Sequence, residues 1–107
     1  MATFVQDGRT IDHTPGSDVA AGAVVVQGEL VGVAKVPIPA NTLGALAVEG
    51  VFDFAKEPGL AIAAGANCYW KAADEVVNTT ATGNKLVGKA IRAAAAGDAT
   101  VRVRMSQ

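Results

Sequence analysis

The sequence predicts an all-β fold: a small single domain of short antiparallel strands, arranged as a barrel or sandwich, with an extended N-terminal arm. Three observations carry this prediction. A chain of 107 residues can hold only one modest core. Its 12 glycines and four prolines recur at short intervals, and the runs between them are rich in valine. We assign residues 1–18 to the arm and residues 19–107 to the barrel-like domain.

The first two predicted strands form a hairpin. Residues 23–27 and 30–36 are apolar runs, and the Gly28-Glu29 pair supplies the turn between them. Pro37 and Pro39 follow the second run. Because proline has no amide donor, the strand pairing ends there.

The middle of the chain predicts three more strands. Residues 45–54 form one strand, whose apolar side chains share a face if Gly50 marks a bend or bulge: Leu46, Val48, Phe52 and Phe54. A turn at residues 56–59 precedes the strand at residues 67–70, and residues 75–78 form a short strand.

The C-terminal region predicts a closing hairpin. Residues 86–92 and 100–105 alternate between apolar and polar side chains, and Gly97-Asp98 supplies a turn between them. In the last strand the valines and Met105 point to the core, while Arg102 and Arg104 point away from it. A single helical turn at residues 91–96 is an alternative, since this stretch is rich in alanine.

A short internal repeat is visible. The run Ala20-Ala21-Gly22-Ala23-Val24 resembles Ala63-Ala64-Gly65-Ala66-Asn67. Each run places a glycine turn directly before a predicted strand. The match is too short to establish a duplicated unit.

Composition limits the partners of the protein. Half of the residues are hydrophobic but only 5% are aromatic, so the core is thin and an oligomer interface is expected to bury further apolar surface. The net charge is −1, which provides no basic field for nucleic acid or an anionic membrane surface. No window resembles a signal peptide or a membrane span, so we expect synthesis in a cytoplasm.

One segment has the spacing of a phosphate-binding loop. Residues 83–90 read Gly-Asn-Lys-Leu-Val-Gly-Lys-Ala. A phosphate-binding loop requires Ser or Thr after its lysine to hold magnesium, together with a preceding hydrophobic strand. Ala90 has no hydroxyl group, and residues 78–82 are mostly polar. We therefore interpret this segment as a turn followed by a strand.

No set of residues predicts a catalytic site, a metal site or a cofactor. His13 is the only histidine and Cys68 the only cysteine, so neither a zinc site nor an intrachain disulfide can be assembled from them. Cys68 lies in an apolar run and is interpreted as a buried, inert thiol. Trp70, beside Tyr69, is interpreted as a core or subunit-interface residue rather than a stacking platform for a sugar or base.

The order of these segments resembles a family of small phage and prophage proteins. These proteins were formerly of unknown function, were sometimes mislabelled as recombinases, and are now grouped as capsid cement or decoration proteins. The resemblance covers the chain from about Asp7 onward. Its most specific segments are Val31-Gly32-Val33-Ala34, Glu49-Gly50-Val51-Phe52, Tyr69-Trp70 and Val87-Gly88-Lys89-Ala90. The resemblance implies a β-barrel-like domain with an extended N-terminal segment, and binding to the major capsid protein, commonly as a trimer.

The first functional hypothesis is a structural cement protein on the outer surface of a tailed-phage capsid. Its predicted location is the virion, after synthesis in the bacterial host cytoplasm. We expect Phe4, Arg9 and His13 in the arm to contact the capsid. The alternative is a non-enzymatic β-barrel binding module of a phage tail or cell surface that holds carbohydrate on an exposed aromatic ring. A third hypothesis, a degenerate nucleotide-binding enzyme, depends on residues 83–90.

Overall fold

The computed structural model describes residues 2–3 and 8–107. Nine strands lie in these residues: β1 Thr10–His13, β2 Val24–Gln27, β3 Leu30–Val33, β4 Gly44–Ala47, β5 Gly50–Ala55, β6 Asn67–Lys71, β7 Val76–Asn78, β8 Lys85–Ala90 and β9 Thr100–Met105. The described residues contain no helix. The all-β prediction is confirmed.

The strands form two antiparallel sheets. The first has the order β1-β4-β3-β2, and the second has the order β5-β9-β8-β6-β7. A parallel bridge between Lys56 and Val77 joins the two ends of the second sheet, and the amide of Glu57 donates to the carbonyl of Val77 at 3.0 Å. The second sheet is therefore almost closed on itself, as a barrel requires.

Both predicted hairpins are paired in the structure. β2 and β3 pair across the Gly28-Glu29 turn in the register Gln27 to Leu30. β8 and β9 pair in the register Lys89 to Arg104. The connection between them is residues 91–99, which is longer than the tight turn predicted at Gly97. Ala94 in that connection bridges to Ile62, so the alternative of a helical turn at residues 91–96 is wrong.

The prediction of one strand over residues 45–54 is wrong. β4 belongs to the first sheet and β5 to the second, and the chain changes sheets between them. Gly50 has φ of 121°, a conformation that residues with a Cβ rarely adopt. Leu46 consequently packs in one hydrophobic cluster and Phe54 in another, instead of sharing a face.

The structure contains one strand that sequence reasoning missed. β1 pairs with β4 along its whole length, from Thr10 opposite Ala47 to His13 opposite Gly44. Its residues lie in the segment assigned to the arm. Of the four residues in β1, Ile11 is the only large apolar one, so the strand carries little hydrophobic alternation. The domain boundary at residue 18 stays a prediction.

The two sheets repeat the same local structure. Val19 and Ile38 exchange backbone hydrogen bonds of 2.9 and 2.8 Å, as do Ile62 and Ala94. The amide of Gly22 donates to Ala34 at 2.6 Å, and the matching amide of Gly65 donates to Ala90 at 2.7 Å. These are the glycines of the short sequence repeat, and their φ angles are 85° and 84°.

The repeat extends to strand order. The first sheet, β1-β4-β3-β2, corresponds to β5-β9-β8-β6 in the second, and β7 is an addition. Gly32 opposite Val25 takes the same place as Gly88 opposite Cys68, and both glycines are buried. The structure thus presents two copies of one four-stranded unit, of which the sequence retains only a trace.

The two copies contribute unequally to the core. Among the described residues, the main hydrophobic cluster holds 13 buried members and is built largely on the second sheet, with Val31 and Val33 of β3 packed into it. The smaller cluster consists of Ala34, Ile38 and Leu46. The first sheet is therefore stabilised chiefly through β3, which contacts β8 of the second sheet.

The C-terminal residue ties the two sheets together. The side-chain amide of Gln107 donates to the carbonyl of Val31 at 2.6 Å and accepts from its amide at 2.7 Å. Val31 is fully buried, so these backbone groups depend on this side chain for partners.

Replacing Gln107 with alanine is expected to destabilise the protein by about 1–2 kcal/mol, because two hydrogen bonds to a buried residue are lost. Chemical denaturation followed by circular dichroism measures this change. Ser106→Ala is the matched control, since only the backbone amide of Ser106 bonds to Val87. Equal stability of Gln107→Ala and Ser106→Ala would contradict the role given to the amide.

Candidate functional site

The residues predicted to contact a capsid lie at the edge of the first sheet or outside the described structure. Phe4 is outside the described residues. Arg9 directly precedes β1, and its guanidinium Nε lies 3.7 Å from Oε1 of Glu49. His13 ends β1 and is half-buried opposite Gly44. The structure thus places Arg9 and His13 at opposite ends of one edge strand, and their capsid contacts stay predictions.

Trp70 lies in the main hydrophobic cluster and is only 7% exposed. Its ring meets Phe54 edge-on at a centroid distance of 6.4 Å, and Phe54 meets Phe52 at 6.3 Å. A ring packed in this way has little free face for a sugar to stack on.

The other sequence candidates occupy structural positions. Cys68 is fully buried, and burial raises the pKa of its thiol, which disfavours the reactive thiolate. In the segment that has the spacing of a phosphate-binding loop, residues 85–90 form β8, and Lys85 bonds Glu29 at 2.7 Å. Among the described residues, no group of three or more His, Cys, Asp or Glu side chains is placed to hold a metal ion.

A groove of about 330 Å³ lies between the start of β2 and the edge of β5. Three of the five aromatic residues of the chain line it, which concentrates its scarce aromatic surface at one place. The described lining residues are Gly22, Ala23, Val24, Val33, Phe52, Asp53, Phe54, Ala55, Trp70 and Glu75. Sequence reasoning did not find this groove, because it depends on how the two sheets pack.

One wall of the groove is the backbone edge of β5. The amide of Lys56 donates to Ala99, opposite it on the β9 side, and the next amide, that of Glu57, donates to Val77 on the other side. Backbone groups alternate in direction along an antiparallel strand, so the amides of Phe52 and Phe54 face β9. The amides of Asp53 and Ala55 face the groove. No hydrogen bond in the described structure engages these two amides.

The open edge has a local cause. β7 runs beside the chain only at Lys56 and Glu57, because it begins at Val76, after the turn of residues 72–75 that joins it to β6. Glu75 in that turn has φ of 54°, a left-handed conformation that is uncommon for a residue other than glycine.

The unpaired charge at the groove is that of Glu75. The described lining includes Asp53 and Glu75 and no lysine or arginine. Asp53 is paired on the outer face with Arg102, at 2.9 and 3.2 Å, and this hydrogen bonding lowers the pKa of the Asp53 carboxyl. Glu75 is exposed and has no ion pair among the described residues.

A second, mainly apolar hollow of about 440 Å³ lies beside the bridge between Val19 and Ile38, in the connections before β2 and after β3. Its described lining is Asp18, Val19, Ala20, Ala21, Pro37, Ile38 and Pro39. Val36, which precedes Pro37 in the chain, is 63% exposed. A contiguous exposed apolar patch is typical of a surface that contacts another protein.

No helix in the described residues has the length and apolar character to cross a membrane.

Comparison with known proteins identifies the family. Searches of curated proteins and of solved structures found no match. The profile described as phage cement protein matches residues 5–105, almost the whole chain. This family has a structural role in association with the phage capsid, which places its members in the virion. The chain belongs to the phage cement protein family.

Proposed function

We propose that this protein binds the outer surface of a tailed-phage capsid and stabilises the assembled shell without catalysing a reaction. The family match over residues 5–105 is the observation that carries the proposal. The direct partner is the major capsid protein. Synthesis takes place in the bacterial host cytoplasm, from a phage or prophage, before binding to the capsid.

The stabilisation follows from mass action. Many copies bind the assembled shell but not its dissociated subunits, so binding shifts the equilibrium toward the intact particle.

We also propose that the protein functions as a homotrimer. Two observations support self-association: among the described residues the smaller cluster has three buried members, and the exposed Val36 adjoins an apolar hollow. Sedimentation velocity tests this directly. A species of three times 10.8 kDa, free or released from capsids, is expected. A monomer under both conditions would contradict the proposal.

Capsid binding is tested with purified protein and capsids of the matching phage. We expect saturable co-sedimentation and a higher temperature of capsid disruption, measured by the release of packaged DNA. Capsids mixed with protein that has been irreversibly unfolded provide the control for nonspecific protein. Absence of binding, or binding without added heat resistance, would contradict the cement function.

A further inference from the structure

We propose that the groove between β5 and β2 accepts an extended segment of the major capsid protein as an added β-strand. In this complex the backbone of the segment pairs with the amides of Asp53 and Ala55, and an apolar side chain contacts Phe52 and Trp70. A lysine or arginine of the segment pairs with Glu75. This proposal rests on the proposed capsid-binding function and names the surface that performs it.

The open backbone edge of β5 can pair with an added strand. The amides of Asp53 and Ala55 face the groove and have no hydrogen-bond partner in the described structure. An extended peptide satisfies such an edge by supplying carbonyl acceptors at the spacing of a strand. β7 covers the chain only from Lys56 onward, so the open edge of β5 is the length of one short strand, which limits the added strand to a few residues.

The aromatic lining carries the second step. Phe52 is partly exposed at the groove, while Phe54 and Trp70 form its buried floor. Side chains of an added strand alternate in direction, so every second one would point to this floor. A groove of about 330 Å³ holds one or two such side chains, and an apolar one there would be removed from water.

Charge decides the chemistry of the partner. The described groove lining has no lysine or arginine, the carboxylate of Asp53 is already paired with Arg102, and Glu75 has no ion pair among the described residues. A basic side chain next to the apolar anchor complements this rim, whereas an acidic segment would be repelled. The expected occupant is therefore an extended segment that carries an apolar residue and a lysine or arginine.

Hydrogen exchange of the free protein and of its complex with capsids, resolved to single amides by mass spectrometry, tests the proposal. The amides of Asp53 and Ala55 are expected to exchange rapidly in free protein and at least tenfold more slowly on capsids. The amides of Phe52 and Phe54, which face β9, are protected in both states and serve as internal controls. Binding without protection at Asp53 and Ala55 would overturn the groove proposal while leaving the cement function intact.

Variants provide an independent measurement. Ala55→Pro removes one groove-facing amide and is expected to weaken capsid binding roughly tenfold. The control Val26→Pro removes an amide of β2 that points away from β3, and Val26 does not line the groove. Glu75→Gln is expected to weaken binding about threefold, compared with Glu29→Gln, a change at an exposed residue outside the groove lining. Unchanged binding by the folded Ala55→Pro and Glu75→Gln variants overturns the proposal. Protection of the Asp53 amide in concentrated protein without capsids would also overturn the proposal, because a second copy would then occupy the groove.

Discussion

Substitution of Gly88 with alanine is expected to destabilise the protein by more than about 3 kcal/mol, or to prevent folding altogether. A Cβ at this position would collide with the backbone carbonyl oxygen of Arg104, and it would lie 2.9 Å from the amide nitrogen of Ser106. Both atoms belong to the backbone of the paired chain. No side-chain rotation can relieve the contact, so the pairing of β8 with β9 would have to shift.

The matched control for this substitution is Gly97→Ala. A Cβ at Gly97 meets no atom within 4 Å, and Gly97 is not in the left-handed conformation. Its stability is expected to stay within about 1 kcal/mol of the unsubstituted protein. Soluble yield and urea denaturation compare the two variants. Similar stability of Gly88→Ala and Gly97→Ala would show that β8 and β9 are not as close as described.

Replacement of Lys56 with methionine is expected to destabilise the protein by about 3 kcal/mol. Lys56 is a charged residue of which only 3% is exposed. Its ammonium group donates to the carbonyls of Glu57, Leu60 and Ala96, at 3.0, 2.6 and 3.3 Å. Methionine fills a similar volume but cannot donate, so the carbonyl of Leu60 loses its donor, while those of Glu57 and Ala96 keep only the amides of Leu60 and Gly59.

The effect of Lys56→Met is distinguished by its location and by a control variant. Lys56 links the turn after β5 to the connection between β8 and β9, so its loss is expected to loosen both segments. The control Lys89→Met changes an exposed lysine on β8 and is expected to alter stability by no more than about 0.5 kcal/mol. Thermal denaturation of both variants measures the difference. A Lys56→Met variant as stable as Lys89→Met would show that the carbonyls find other partners.

Sequence reasoning predicted those elements whose signals are local. The Gly28-Glu29 turn flanked by valine runs identified the β2-β3 hairpin, and the alternation from Thr100 to Met105 identified the inward face of β9. Both depend on interactions between residues close in sequence or on strict periodicity, which a single sequence displays. The order of segments also placed the chain in its family, which the family match confirms.

The errors in strand prediction arose where one local pattern is compatible with two structures. Gly50 could mark a bulge within one strand or a passage between two sheets, and the two outcomes differ only in long-range pairing. β1 was missed because its own residues do not show the apolar alternation of a strand. Its pairing with β4 stabilises it instead. The internal duplication left a recognisable sequence only at the two glycine turns, where backbone conformation restricts the residue type.

The sequence alone therefore determined the fold class, the principal hairpins and the family of this protein, because turns and alternation are local properties. The tertiary structure alone decided which strands share a sheet, the burial of Lys56, and the groove between β5 and β2. Each of these depends on contacts between segments far apart in the chain, as the three carbonyls around Lys56 illustrate. The proposed binding groove belongs to this second group: its amides, aromatic rings and Glu75 come from separate segments of the second sheet, and its opposite wall comes from Ala23, Val24 and Val33.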